Sequence, residues 1–387
     1  MTESLAHLIL NLIPGIGPIR VRRLIQQLGS ATSVLETPAT RLSTCEGISS
    51  DTAGKIADWQ HTTDWQRELQ LCQQHNIHYI TLGDEAYPAL LRNIPDAPIC
   101  LYYKGTLSSA DSRAVAIVGS RITTPYGQNC AQKIAYQLAY AGIPVVSGLA
   151  RGIDTYAHRG ALAARGRTIA VVGSGLLSLY PPENESLAEK IADEKGCIMS
   201  EFPLQRKPDR QSFAIRNRIV AAMTLGTVVI EAPRRSGALI TANMAADYGR
   251  IVFAVPGRID TPHSAGCHQL IKNGAKLVEN AEDIISEFGY LFQLNQQTLK
   301  KHDQEENITN PDNSSKPPNT TSLPPDTLSE HERNILSLIT TDPIILDTLI
   351  AESHLPPHIV TSTLSRLELK RLIRNTPAGY CLSSSNP

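Results

Sequence analysis

Short apolar runs alternate with longer amphipathic segments between residues 113 and 291 of this chain. The first run is Val115–Val118, an amphipathic segment continues to Ala141, and the next run is Pro144–Val146. Strands that are apolar throughout are buried on both faces, which is typical of a parallel sheet covered by helices. The right-handed crossover rule then places the strand ends on one edge. Further strands are predicted at residues 168–172, 197–200, 227–230, 251–255 and 275–278. The pattern predicts a doubly wound α/β domain.

The segment before this domain is predicted to be helical over residues 1–65. Ile13–Pro18 has the apolar-Pro-Gly-apolar-Gly order of a helix-hairpin-helix turn, which offers backbone N–H groups to a phosphate. A degenerate second copy at Cys45–Ser49 lacks the second glycine. Both DNA contact and simple packing remain open for this module. Residues 66–112 are interpreted as a connector with a strand at residues 79–82.

The segment after this domain changes composition twice. Residues 292–327 are rich in proline, asparagine and serine and lack apolar periodicity, which predicts a flexible linker. Residues 328–387 contain segments predicted as helices at 329–340, 344–353 and 356–369, followed by strands at 371–374 and 379–382. This order predicts a winged helix, a module that binds either DNA or proteins.

Composition limits the functions that this chain can perform. The chain has 387 residues, is 41% hydrophobic and carries a formal net charge of -1, so any nucleic-acid binding must depend on locally placed cations. Its 7 cysteines are scattered without a C-x-x-C pair, which indicates reduced thiols and no metal site. Neither a signal peptide nor a membrane-spanning run is present in the sequence, so we expect a cytoplasmic protein with no membrane partner.

Small and cationic residues follow several of the predicted strands. In open parallel sheets ligands bind outside the carboxyl ends of the strands, where helix N-termini favour anions. Residues 205–218 add a cationic cluster with an aromatic ring among the cations, which suits phosphate neutralisation and base stacking. We therefore predict a binding site for single-stranded DNA. Its residues are Gly119, Ser120, Arg121, Ser147, Gly148, Arg151, Arg210, Phe213, Arg216 and Arg218.

The signatures of common catalytic and cofactor sites are not found in the sequence. There is no G-x-x-x-x-G-K-[ST] loop, and Gly173–Gly175 is only a fragment of a dinucleotide fingerprint. Asp154 and His158 are interpreted as a helix cap and a packed side chain. Glu201 and Glu231 are interpreted as carboxylates that hold arginines. The prediction is a protein without catalytic residues, cofactor or metal.

Several motifs in the sheet domain resemble those of the bacterial DNA-processing family DprA, also called Smf. They are Val115–Arg121, Val146–Asp154 with Ala157 and His158, Phe213 with Arg216–Arg218, and Ser236–Ala242. The resemblance extends to the terminal modules. It implies an extended Rossmann-like domain that binds single-stranded DNA, forms homodimers, and protects incoming DNA and loads RecA during natural transformation.

Family motifs can be placed on individual residues of this chain. The G-S-R pocket falls on Gly119–Arg121, and the F-P-x-R-N-R element falls on Phe213, Arg216, Asn217 and Arg218, which adds Asn217 to the predicted DNA-binding residues. The resemblance places the dimer interface around residues 267–275. Ala214 stands where the family has proline, which puts the rigidity of that segment in doubt, and Leu177 stands where it often has aspartate. Two alternatives remain open: a nucleotide-binding enzyme of the phosphoribohydrolase type, and a scaffold whose terminal modules bind proteins.

Overall fold

The structure is a computed structural model that describes residues 1–289 and, with short gaps, residues 330–382. The chain divides into two compact units, Met1–Asn307 and Ile308–Pro387. The first unit contains the sheet and the N-terminal helices, and the second contains the C-terminal helices and ribbon. The predicted linker at residues 292–327 lies outside the described residues.

A nine-stranded sheet runs through the first unit. Its strands are β1 His78–Thr81, β2 Cys100–Gly105, β3 Val115–Val118, β4 Val145–Ser147, β5 Thr168–Val171, β6 Cys197–Ser200, β7 Gly226–Val229, β8 Ile251–Ala254 and β9 Lys276–Leu277. They lie in the order β1-β2-β6-β5-β4-β3-β7-β8-β9. All pairs from β6 to β9 are parallel, which confirms the predicted α/β sheet.

One edge of the sheet departs from the parallel arrangement. β2 pairs with β6 in antiparallel register, Tyr102 opposite Ser200, and β1 pairs with β2 in the same way. The strand predicted at residues 79–82 corresponds to β1, whereas β2 was not predicted. Its apolar run is short and follows a proline-rich stretch, so the sequence pattern resembled a loop more than a strand.

Helices precede the sheet and cover both of its faces. In the first unit they are α1 Glu3–Leu12, α2 Pro18–Leu28, α3 Ala31–Glu36, α4 Ala39–Leu42, α5 Ser50–Ala57, α6 Trp59–Thr62, α7 Trp65–Gln74, α8 Ala89–Arg92, α9 Pro125–Tyr140, α10 Ile153–Ala163, α11 Glu185–Asp193, α12 Arg210–Ala222, α13 Gly237–Asp247, α14 Ala265–Lys272 and α15 Ala281–Ile285. Strand β3 shows the two-sided burial, because Val115 and Ile117 join the core with α9 while Ala116 and Val118 join the core with α12. Such burial on both faces explains why the strand is apolar throughout.

The N-terminal helices contain two similar turns. Gly15 has φ +85° before α2, and Gly47 has φ +79° before α5, so both turns use the left-handed backbone that favours glycine. Arg23 in α2 lies 3.8 Å from the Glu46 carboxylate, which connects α2 to the second turn. The paired hairpins fit the predicted helix-hairpin-helix module, while their contact with DNA stays a prediction.

The second unit consists of helices and a two-stranded ribbon in its described residues. The helices are α16 Glu330–Leu338 and α17 Leu346–Ser353, and the ribbon pairs β10 Ile373–Thr376 with β11 Gly379–Leu382 in antiparallel register. Ile335, Leu349 and Leu364 are buried in its own small hydrophobic core. These elements match two of the three predicted helices and the ribbon, while part of the helix predicted at residues 356–369 lies outside the described residues.

Candidate functional site

A cavity of about 780 Å³ opens at the carboxyl edge of the sheet, where the chain order reverses between β3 and β7. Such a reversal is where open α/β sheets bind ligands, because the loops of the two neighbouring strands diverge there. The predicted residues that line the cavity are Gly119, Ser120, Arg121, Gly148, Arg210, Phe213, Arg216 and Asn217. The fold therefore brings most of the predicted site together.

The loop after β3 is held in place by hydrogen bonds. The Ser120 N–H donates to the Glu231 carbonyl at 2.7 Å, and the Ser120 hydroxyl donates to the Ile122 carbonyl at 2.5 Å. A Cβ at Gly119 would lie 2.5 Å from the Ile153 side chain, so only glycine fits this position. Gly119 and Ser120 thus shape the loop that presents Arg121 to the cavity.

The Glu231 carboxylate holds threonines rather than arginines, which corrects its interpretation from the sequence. Thr123 Oγ1 donates to it at 2.7 Å, and the Thr124 N–H donates at 3.0 Å. Thr124 is also the N-cap of α9. Glu231 therefore fixes the start of α9 and, through it, the loop that carries Arg121.

Arg216 forms the floor of the cavity and is almost completely buried. Its Nη1 donates to the Gly148 carbonyl at 2.5 Å and to the Val171 carbonyl, which cross-links the ends of β4 and β5. Burial lowers the pKa of Arg216 to about 10, and the Asp154 carboxylate opposes that shift. The guanidinium stays charged at neutral pH and contributes a positive potential from below.

Asp154 and His158 lie beside this floor. The Asp154 carboxylate accepts the N–H groups of Gly148 at 3.1 Å and Ala150 at 3.3 Å, so it fixes the preceding loop. Gly152 occupies the N-cap of α10, so the interpretation of Asp154 as a helix cap is wrong. Burial raises the pKa of Asp154, against the opposing charge of Arg216. His158 is packed in the core with Nδ1 2.8 Å from Thr168 Oγ1, as predicted.

Helix α12 supplies one wall of the cavity. Arg210 is its first residue, and Asp209 caps it by accepting the Ser212 N–H at 2.8 Å. Phe213 lies one turn later, and the Arg121 Cζ atom is 5.2 Å from the centroid of its ring. Residue Ala214 lies within the helix, where an N–H group continues the hydrogen-bond ladder. The doubt about rigidity at this position therefore does not apply, because the segment is regular helix.

Sequence reasoning left several cavity residues out of the site. Arg235 and Ser236 line the cavity just before Gly237, where α13 begins, and Ile122 and His263 line it as well. The sequence does carry a signal here, because Arg234 and Arg235 directly follow the strand predicted at residues 227–230 and precede Ser236 and Gly237. Among residues 1–289, no carboxylate forms an ion pair with Arg121, Arg210 or Arg235. These cations leave the cavity with an unneutralised positive charge.

Three predicted residues do not line the cavity, namely Ser147, Arg151 and Arg218. The Ser147 hydroxyl is buried and donates to the Ile117 carbonyl at 2.7 Å, which ties β4 to β3. Arg151 lies outside the cavity and forms a half-exposed ion pair with Glu183 at 2.5 Å. These positions favour structural or peripheral roles rather than direct contact inside the cavity.

Arg218 is buried in ion pairs on another side of α12. It contacts the Glu201 carboxylate, and its Nε lies 3.3 Å from Asp96 Oδ2. Burial raises the pKa of Glu201, while the charge of Arg218 opposes that shift. Glu201 therefore holds an arginine as predicted, and Arg218 anchors α12 instead of reaching the cavity.

Comparison with known proteins identifies the family. A model described as DNA recombination-mediator protein A matches residues 78–289, and a DprA winged-helix model matches residues 318–379. The chain is 35% identical over 378 residues to Protein Smf of Synechocystis sp., covering 94% of this chain and 95% of that protein. The chain belongs to the DprA/Smf family. The family assignment includes the C-terminal winged helix that the sequence predicted.

Other members of the DprA/Smf family support the same assignment. The chain is 44% identical over 207 residues to the DNA processing protein DprA of Streptococcus pneumoniae, covering 54% of this chain and 73% of that protein. The X-ray structure of DprA from that organism matches with a TM-score of 0.65 and 33% identity, covering 74% of this chain and 98% of the other. The fold is therefore the Rossmann-like fold of DprA proteins.

A second solved structure concerns the single-stranded DNA binding mode of DNA processing protein A from Helicobacter pylori. It matches with a TM-score of 0.50 and 31% identity, covering 56% of this chain and 98% of the other chain. In the part of our chain that the structure describes, no group of His, Cys, Asp and Glu side chains is arranged to hold a metal. Nor does that part contain a helix of the length and apolarity needed to cross a membrane.

Proposed function

We propose that the chain binds single-stranded DNA in the cavity at the carboxyl edge of the sheet and acts as a non-catalytic recombination mediator. The observation that carries the proposal is the set of Arg121, Arg210 and Arg235 around one cavity, none of which forms an ion pair with a carboxylate of residues 1–289. A polyanion releases counterions when such cations bind its phosphates, so binding is favourable and salt-dependent. The Helicobacter pylori relative, whose structure addresses single-stranded DNA binding, supports the same ligand.

The cavity offers both phosphate and base contacts. Arg121 and Arg210 stand at its rim, Ser236 and Gly237 at the start of α13 line it, and Phe213 presents an aromatic ring. Because phosphates and ring faces are common to every nucleotide, this combination holds a strand without reading its sequence. Asn217 completes the wall and accepts a hydrogen bond from Arg216 Nε at 3.2 Å.

A salt-resolved titration with labelled oligo-dT tests the proposal. Arg121→Ala should weaken binding and reduce the magnitude of the slope of log K against log salt by about 0.7, the value for one phosphate of a single strand. Arg113→Ala is the matched control, since Arg113 is exposed before β3 and so lies at the opposite edge of the sheet. Wild-type protein that does not bind the oligonucleotide, or equal slopes for both variants, would refute the proposal.

The absence of catalysis needs its own assay. A nucleotide-cleaving enzyme of the phosphoribohydrolase type would release free adenine from AMP, whereas a mediator should leave AMP intact. Chromatography of AMP after incubation with the protein separates the two hypotheses. Adenine released in proportion to the protein, and lost in the Arg121→Ala variant, would overturn the non-catalytic assignment.

The proposed function also involves two protein partners, a second copy of this chain and RecA. We expect a cytoplasmic homodimer that protects incoming DNA and loads RecA onto it during natural transformation. The predicted interface at residues 267–275 adjoins the short edge strand β9, where Leu277 is 47% exposed. Equilibrium sedimentation tests dimerisation, and RecA filament formation on single-stranded DNA with and without the protein tests loading. A monomer at all concentrations would contradict the expected dimer. Unchanged RecA filament formation would contradict the expected loading of RecA.

A further inference from the structure

Four side chains form a row in which two neighbouring aromatic rings, Phe213 and Tyr180, lie between two cations, Arg121 and Arg151. The Arg121 Cζ lies 5.2 Å from the centroid of the Phe213 ring, whose centroid lies 5.7 Å from that of Tyr180. On the other side, the Arg151 Cζ lies 5.5 Å from the centroid of the Tyr180 ring. Since Arg121 and Phe213 line the cavity and the other two do not, the row leads from the cavity to the surface.

Tyr180 lies between Phe213 and Arg151 in this row and is held in place from the outer side. Arg151 Nη1 donates to its hydroxyl at 3.4 Å, and Arg151 Nε donates to Glu183 Oε1 at 2.5 Å. The residue Tyr180 is still 37% exposed although its ring contacts both Phe213 and Arg151. A large aromatic ring that is fixed in position and open to solvent is suited to stack on another flat ring.

We propose that Tyr180 is a second base-stacking residue, which takes the nucleobase next to the one on Phe213. The inference rests on the proposed binding of single-stranded DNA in the cavity. The strand leaves the cavity past Phe213, and its next base lies against Tyr180 on the surface. The residues that the sequence analysis assigned to this site include Phe213 and Arg151 but not Tyr180.

The charges beside Tyr180 determine what its contact contributes. The carboxylate of Glu183 neutralises Arg151, so the outer end of the row has little net charge for phosphates. The contribution of Tyr180 therefore comes from stacking, which does not release counterions. This separates it from Arg121, whose contribution depends on salt.

The experiment compares the full-length wild-type protein with Tyr180 variants by fluorescence anisotropy of labelled oligo-dT at several salt concentrations. Tyr180→Ala and Tyr180→Leu should each weaken binding by about 5-fold or more, the loss of one stacked base. The salt slope should stay unchanged. Tyr180→Phe retains the ring and should bind like the wild type. Tyr140→Ala is the matched control, because Tyr140 is an exposed aromatic at the far end of α9.

An oligonucleotide with abasic sites distinguishes stacking from a change in shape. The affinity difference between wild type and Tyr180→Leu should disappear when the strand has no bases to stack. An equal loss for the abasic strand, or unchanged affinity of both variants for oligo-dT, would overturn the inference while leaving the cavity site in place. Wild-type protein that binds neither strand would instead refute the proposed function itself.

Discussion

The guanidinium of Arg216 lies against Gly148, and its Nη1 donates to the Gly148 carbonyl at 2.5 Å. Arg216 was predicted to bind DNA because it lies in a family motif. In the structure it is mainly a cross-link between the ends of two strands. It links the ends of β4 and β5 beneath the cavity, whereas Arg121 and Arg210 are exposed at the rim. The stability of the domain and the shape of its cavity depend on the same buried side chain.

This packing predicts a cost for adding one methyl group at Gly148. A Cβ there would overlap the Arg216 guanidinium, which is buried and held by its hydrogen bonds to the Gly148 and Val171 carbonyls. Gly148→Ala should therefore lower the free energy of unfolding by about 1–3 kcal/mol, as overpacking of a core does. Urea denaturation followed by circular dichroism measures this free energy of unfolding. In the control Gly237→Ala, the added Cβ meets no atom within 4 Å, and stability should not fall. Equal midpoints for Gly148→Ala and wild type would contradict the packing argument.

The buried ion pair of Arg218 and Glu201 predicts a larger loss of stability than the change at Gly148. Arg218→Ala leaves the Glu201 carboxylate buried without its cation, and removal of one partner from such a pair costs about 3–5 kcal/mol. The control is Arg206→Ala, because the pair of Arg206 with Asp209 is exposed and should contribute about 1 kcal/mol or less. The measurement is again urea denaturation. A similar small loss in both variants would show that Arg218 does not anchor α12.

Neighbouring arginines at the start of α13 should differ in DNA binding. Arg235 lines the cavity and Arg234 does not, although both are exposed. Arg235→Ala should reduce the magnitude of the salt slope of oligo-dT binding by about 0.7, while Arg234→Ala should leave it unchanged. Anisotropy titrations at several salt concentrations give both slopes. A reduced slope for Arg234→Ala with an unchanged slope for Arg235→Ala would place the DNA strand outside the cavity.

The burial of His158 leads us to expect that the free energy of unfolding falls at acidic pH. Burial, followed by the nearby charge of Arg216, lowers the pKa of His158 to about 3, whereas an imidazole in an unfolded chain titrates near about 6.5. Between these values the unfolded state binds a proton that the folded state does not. The free energy of unfolding should therefore fall as the pH is lowered from about 6.5 towards 3, and this group should have little effect at higher pH.

Urea denaturation of wild type and His158→Gln at a series of pH values checks this prediction. The variant should be less stable at neutral pH because the packed ring is lost, but its stability should depend less on pH across that range. His78→Gln serves as the control, since His78 is exposed. If His158→Gln and wild type lose stability equally with acid, the effect arises from other groups.

The sequence by itself predicted the sheet strands from β3 to β9. For β3 to β7 the reason is that strands buried on both faces must be largely apolar along their whole length. It also located the cavity in outline, since parallel strands linked by right-handed crossovers end on one edge. Helical spacing offered a further signal that was not used. Arg210, Phe213 and Asn217 recur at helical intervals on α12, and all three line the cavity.

Only the tertiary structure decided which cations are available to a ligand. Arg218 is paired because Asp96, more than a hundred residues earlier, and Glu201, at the end of another strand, fold against it. Arg216 is buried because the ends of β4 and β5 close over it, and Tyr180 reaches Phe213 from a separate loop. A sequence fixes charge and local periodicity, but the desolvation and partners of a side chain depend on residues that are distant in the chain and adjacent only after folding.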